Sequence, residues 1–188
     1  MSKTLELLNG RWHEKAMRVY FFIVIGHWAE HLLQAFQIWV LHWPRPQAKG
    51  LLGLFFPWLV SSEWLHYAYA LIMLIGLILL RPGCTGRSRY WWNAALIIQF
   101  WHHIEHLLLF IQAQTKYNFF GASAPTSIAQ LLFPRVELHL FYNAIVFIPM
   151  VVGMIYHVWS PAGERSHTPT CSCPRKRGSS NDQCVLVS

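Results

Sequence analysis

Apolar residues dominate four stretches of the chain, Val19 to Trp43, Leu51 to Leu80, Tyr90 to Thr115 and Val136 to Ser160. Each exceeds the roughly 20 residues that a helix needs to cross a hydrocarbon core. Each contains a single charged side chain, and in every case it is a glutamate: Glu30, Glu63, Glu105 and Glu137. The pattern predicts an all-α integral membrane protein, a four-transmembrane-helix bundle with its polar residues turned inward.

The polar positions inside these stretches repeat. "HWAEHLLQAFQ" at 27–37 returns as "HHIEHLLLFIQ" at 102–112, with His27, Glu30, His31, Leu32, Leu33 and Gln37 matched at an offset of 75. The following helices match more loosely. His66 and Tyr69 correspond to His139 and Tyr142 at an offset of 73, each pair downstream of a Phe-Pro. The chain therefore divides into an amphipathic N-terminal segment (1–18), a first two-helix repeat (19–80), a loop (81–89), a second two-helix repeat (90–160) and a polar tail (161–188) that reads as disordered. An even number of helices per repeat keeps both in one orientation, related by an axis along the membrane normal.

At 3.6 residues per turn, His27, Glu30, His31 and Gln34 share one helix face, as do His102, Glu105 and His106, with His103 beside them. The second helix adds Glu63, His66 and Tyr67. In the fourth, His139, Tyr142 and Asn143 share a side and Glu137 points elsewhere. Counting about 1.5 Å per residue from the helix ends brings the histidines of all four helices to one level near the midplane. Gln34, Gln37 and Gln112 read as interhelical hydrogen bonders, and His13, His42, His157 and His167 as ordinary polar residues.

Charge gives the orientation. The N-terminus (Lys3, Arg11, Lys15, Arg18), the middle loop (Arg81, Arg87, Arg89) and the tail (Arg165, Arg175, Lys176, Arg177) carry eleven basic residues, against four (Arg45, Lys49, Lys116, Arg135) in the other two loops. Both termini are expected in the cytoplasm, in the plasma membrane of a bacterium. The net charge of +7 is then that of basic flanks against anionic headgroups, and nucleic acid is not expected as a partner. The first apolar run lacks a small-residue cleavage pattern, so no cleavable signal peptide is expected. Cys84, Cys171, Cys173 and Cys184 fall on the cytoplasmic side and are expected to be reduced.

Imidazoles and carboxylates at i, i+3 and i+4 are ligand types and spacings for first-row transition metals, and a bundle interior accommodates two ions. A lone Glu30 with Glu63-x-x-His66 is similar to the ligand pattern of ferritin-like di-iron bundles, whereas Glu137-Leu-His139 is one residue short of it. The stretch "HHIEH" resembles the histidine boxes of membrane desaturases and hydroxylases. The expected metal ligands are His27, Glu30, His31, Glu63, His66, His102, His103, Glu105, His106, Glu137 and His139, holding two iron ions, with copper or zinc as other ions and haem b between opposed histidines as the alternative. Tyr67, Tyr69 and Tyr142 are expected to relay protons or electrons. The function this predicts is oxidation of a lipid-soluble small molecule, with a redox partner protein and homo- or hetero-oligomers as further expectations. An electron carrier, a metal or proton conduit and an accessory subunit of a larger complex are the other readings.

Overall fold

The computed structural model describes residues 3–159, so the tail reading, its cysteines, His167 and Ser160 lie outside the described residues. Within them the chain is helical, with no strand. A short α1 (Lys3–Asn9) leads into α2 (His13–Trp39), followed by two single turns, α3 (Leu52–Phe55) and α4 (Pro57–Val60). Then come α5 (Glu63–Leu80), α6 (Gly86–Thr115) and α7 (Arg135–Val158).

Local chemistry sets these boundaries. The expected span Leu51 to Leu80 is broken: Pro57 cannot donate a helix hydrogen bond and starts α4, and the Ser62 hydroxyl accepts from the Trp64 N–H at 3.2 Å to cap α5. The first part of that run therefore folds as two single turns, Leu52–Phe55 and Pro57–Val60, ahead of α5. Pro82 stops α5 at a 3-10 turn, Arg81–Gly83. Lys116 ends α6 in the left-handed region at φ 59°.

Three helices are long and apolar enough to cross a membrane: Glu63–Gly83 (α5 with its terminal 3-10 turn), Gly86–Thr115 and Arg135–Val158. Helix α2 is not among them, since His27, Glu30, His31, Gln34 and Gln37 lower the hydropathy of the stretch that follows its charged first turns. It packs against α5 and α7, and α6 packs against the same two helices. Outward residues such as Phe22 and Ile97, 80% and 71% exposed, are apolar, as a hydrocarbon solvent allows.

The interior has two parts. Toward the 81–89 end it is apolar, built on Met17, Tyr20, Leu77, Trp92, Val146 and Met150. Polar tips there reach backbone carbonyls: Tyr20 Oη donates to Met73 O at 2.7 Å and Trp92 Nε1 to Leu77 O at 2.9 Å. One level further, Gln99 Nε2 donates to Ala70 O at 3.1 Å. Beyond that level, toward the 40–62 and 116–134 loops, the interior turns to histidine.

Candidate metal centre

Six histidines from the four long helices gather in that polar half, although among the described residues no three of them bring one ring nitrogen each within 4.8 Å of one another. His27 and His31 come from α2, His66 from α5, His102 and His106 from α6 and His139 from α7. Ring centroids lie 4.7 Å apart for His27 and His31, 4.6 Å for His102 and His106, 5.4 Å for His31 and His139, 5.0 Å for His106 and His139, and 6.2 Å for His66 and His106. His31, His102, His106 and His139 are buried; His27 and His66 are half-buried.

The hydrogen bonds orient these rings. A backbone carbonyl only accepts, so Nδ1 of His66 donates to Ser62 O at 3.0 Å, and Nδ1 of His139 donates to Arg135 O at 2.7 Å. Nδ1 of His31 lies 2.9 Å from Gln34 Oε1 and donates to it. In each ring Nε2 then carries the lone pair, the arrangement usual for a metal-binding imidazole steered from behind. Among the described residues, Nε2 of His31 and of His139 and Nδ1 of His102 and of His106 have no hydrogen-bond partner. Nε2 of His102 and Nε2 of His106 lie 3.2 Å apart, close to the edge of about 3.3 Å between two nitrogens on a tetrahedral ion with bonds of about 2.0 Å.

Tyr69 stacks on His27 at 4.6 Å and Tyr142 on His102 at 4.4 Å, so the same contact occurs at matched positions in both halves. Tyr142 Oη also accepts from Trp101 Nε1 at 2.8 Å. Two expected site residues fall elsewhere. His103 turns away from the cluster to face Tyr67 at 5.3 Å, and Tyr67 stacks on Phe110 at 4.8 Å, between α5 and α6.

The four glutamates bond to loops and arginines, while Glu30, Glu63 and Glu105 also line the cavities that the histidines line. Glu30 accepts from Leu51 N at 2.7 Å and Leu52 N at 2.6 Å, so it holds the start of α3. Glu105 likewise accepts from Ser127 Oγ and from Ala129 N at 3.2 Å. The glutamines that follow each motif do the same work. Gln37 pairs with both backbone groups of Gly50, at 2.9 and 3.2 Å, and Gln112 with both of Thr126, at 3.2 and 2.9 Å. They bond to loops rather than between helices.

Glu63 and Glu137 stand in the first turns of α5 and α7, where the helix dipole favours a carboxylate. Arg135 grips Glu63 with two bonds of 2.7 Å, and Arg45 grips Glu137 at 3.0 and 2.6 Å.

A cavity of about 360 Å³ opens beside the rings of His31, His66 and His139. Its wall includes Arg45, Lys49, Arg135 and Glu63, and both arginines there are paired with carboxylates, Arg135 with Glu63 and Arg45 with Glu137. The larger cavity, about 690 Å³, is apolar and lies at the far end between α1, α2 and α5, lined by Trp12, Val19, Ile72 and Ile75 among others and by no histidine.

One further cluster was not legible from spacing. His13 at the start of α2, Cys84 between α5 and α6, and His157 in the last turn of α7 place one ligand atom each within 4.8 Å of one another, and all three are buried. No sequence interval links them, and the sequence alone reads His13 and His157 as ordinary polar residues and Cys84 as a reduced loop cysteine.

No family model, curated protein or solved structure matches the chain.

Proposed function

We propose that the protein is an integral membrane oxidoreductase in which six imidazoles hold a pair of transition-metal ions. In this reading α2 is a fourth span, the four long helices form a bundle, and the two halves are a tandem repeat. Each half contributes three ligands: His27, His31 and His66 from the first, His102, His106 and His139 from the second. The observation that carries the proposal is the set of Nδ1–H groups tied to Ser62 O, Arg135 O and Gln34 Oε1, which leaves lone pairs facing a shared interior.

Water would satisfy buried imidazoles only where the interior has room. The cavity of about 360 Å³ gives that room beside His31, His66 and His139, and so does one of about 40 Å³ beside His27, Glu30 and Tyr69, whereas the one beside His102, Glu105 and Tyr142 measures about 10 Å³. Apolar packing would join the helices without burying six imidazoles, so the cost of burying them argues for a ligand. The same close packing argues against haem, because a porphyrin needs a slot between its axial ligands and here the rings lie against one another.

The donor set also bears on the ion. With Glu30, Glu63, Glu105 and Glu137 engaged elsewhere, the ligands are neutral imidazoles, which suit copper at least as well as iron and lack the carboxylates of a ferritin-like iron pair. The bound metals would exchange the electrons. The chain's own contribution is to fix the ligands, exclude bulk water and set tyrosines against His27 and His102 as candidate relays. The charged vestibule points to a small polar substrate arriving from the loop side, in place of a lipid-soluble one, since the apolar cavity lies at the other end.

Elemental analysis with an optical spectrum of detergent-purified protein tests this. About two copper or iron ions per chain without a Soret band is the expected result. A Soret band with matching iron would make the protein a haem carrier, and neither signal would leave a structural or accessory role.

A further inference from the structure

We propose a second metal site, formed by His13, Cys84 and His157, that binds a zinc-class ion and fastens three helix ends together. It is separate from the six-histidine centre and stands without it. All three side chains are essentially sealed, at 0, 0 and 2% exposure. They come from the first residue of α2, the turn after α5 and the last turn of α7.

One thiol and two imidazoles are ligand types that zinc takes, and as three protein ligands they leave the fourth tetrahedral position to a water or another donor. Bonds of about 2.3 Å to sulfur and about 2.0 Å to nitrogen on a tetrahedral ion put these donor atoms about 3.3–3.5 Å apart. The observed spread of at most 4.8 Å needs only a small closing movement of side chains. The rings of His13 and His157 already meet edge-on at 5.1 Å.

The turn bearing Cys84 is held in place for this. Asn9 donates to Leu79 O at 2.8 Å and accepts from Gly83 N at 2.9 Å, while Cys84 N donates to Arg81 O at 3.1 Å. A Cβ on Gly83 would come within 2.4 Å of the His13 ring, so only glycine lets the backbone press that ring toward Cys84. Such an ion would join α2, the α5–α6 turn and α7 at the end where the apolar core stops.

The test uses the full chain with Cys171→Ser, Cys173→Ser and Cys184→Ser, purified in detergent and titrated with Co²⁺. A near-ultraviolet sulfur-to-cobalt charge-transfer band is expected, because Cys84 is then the one thiol left. Cys84→Ser should abolish the band. His157→Gln, which keeps the thiol, should weaken cobalt binding at this band at least tenfold, and His106→Ala should leave the band intact. Absence of the band in the folded parent, its survival in Cys84→Ser, or unchanged affinity in His157→Gln would each overturn the site. Loss of the band in His106→Ala would overturn its independence from the six-histidine centre.

Discussion

Nε2 of His106 lies 3.2 Å from Nε2 of His102, one turn away on α6. Two such nitrogens are either joined by a shared proton or turned to one ion, and acid distinguishes the two. If they bind metal, protons compete for the same lone pairs, so lowering the pH through the range where imidazole protonates should release the ions cooperatively. Dialysis at stepped pH followed by elemental analysis should show retention at neutral pH and loss in acid. Metal content independent of pH would contradict ligation by these rings.

Glu30 and Glu105 should prove to be loop anchors. Each accepts backbone N–H groups from the loop that follows its helix, and removing a partly buried acceptor costs about 1–3 kcal/mol. Glu30→Ala and Glu105→Ala are expected to lower the melting temperature in detergent by several degrees while metal per folded chain stays at the wild-type level. Glutamine at either position should recover part of the loss. Loss of metal without loss of stability would return both residues to the ligand set.

Gly50 gives a sharper test of the same clamp. Its φ is +72°, and a Cβ there would sit 2.1 Å from Glu30 Oε2. Gly50→Ala combines backbone strain with displacement of the carboxylate, at about 1–3 kcal/mol. Limited proteolysis should cut the 44–62 segment faster in this variant than in Gly26→Ala, whose Cβ would meet nothing within 4 Å. Equal cleavage in both would show that Glu30 does not hold the segment.

The two bidentate ion pairs should differ. The side chains of Arg135 and Glu63 are 38% and 12% exposed, those of Arg45 and Glu137 50% and 32%. Solvent screens the second pair more. A double-mutant cycle on Arg135 and Glu63 should give a coupling of about 1 kcal/mol or more, and a cycle on Arg45 and Glu137 a smaller one that vanishes in high salt. Equal couplings would contradict the difference in screening.

Much of this was legible in the chain. The i, i+4 spacing of His27 with His31 and of His102 with His106, and the matched His66 and His139, point to one interior from periodicity alone. Periodicity cannot say what a carboxylate one turn from a histidine will meet. Glu30 and Glu105 sit on the histidine side of their helices, yet their partners are backbone groups in loops 21 to 24 residues on, whose path no helical pattern specifies. Pro57 marked the break in the second apolar run, but the run's hydropathy hid it. The grouping of His13, Cys84 and His157 depends wholly on topology, since only the packing of α2 and α7 around the end of α5 brings them together.

The most direct measurement is metal per chain in the Cys84→Ser background, which removes the second site, for the parent protein and for His106→Ala, His139→Ala and His103→Ala. Two ions in the parent and in His103→Ala, with at least one lost in His106→Ala and in His139→Ala while both stay folded, is the result expected if the six inward histidines are the ligands. Equal metal in all four, or loss in His103→Ala alone, would contradict it.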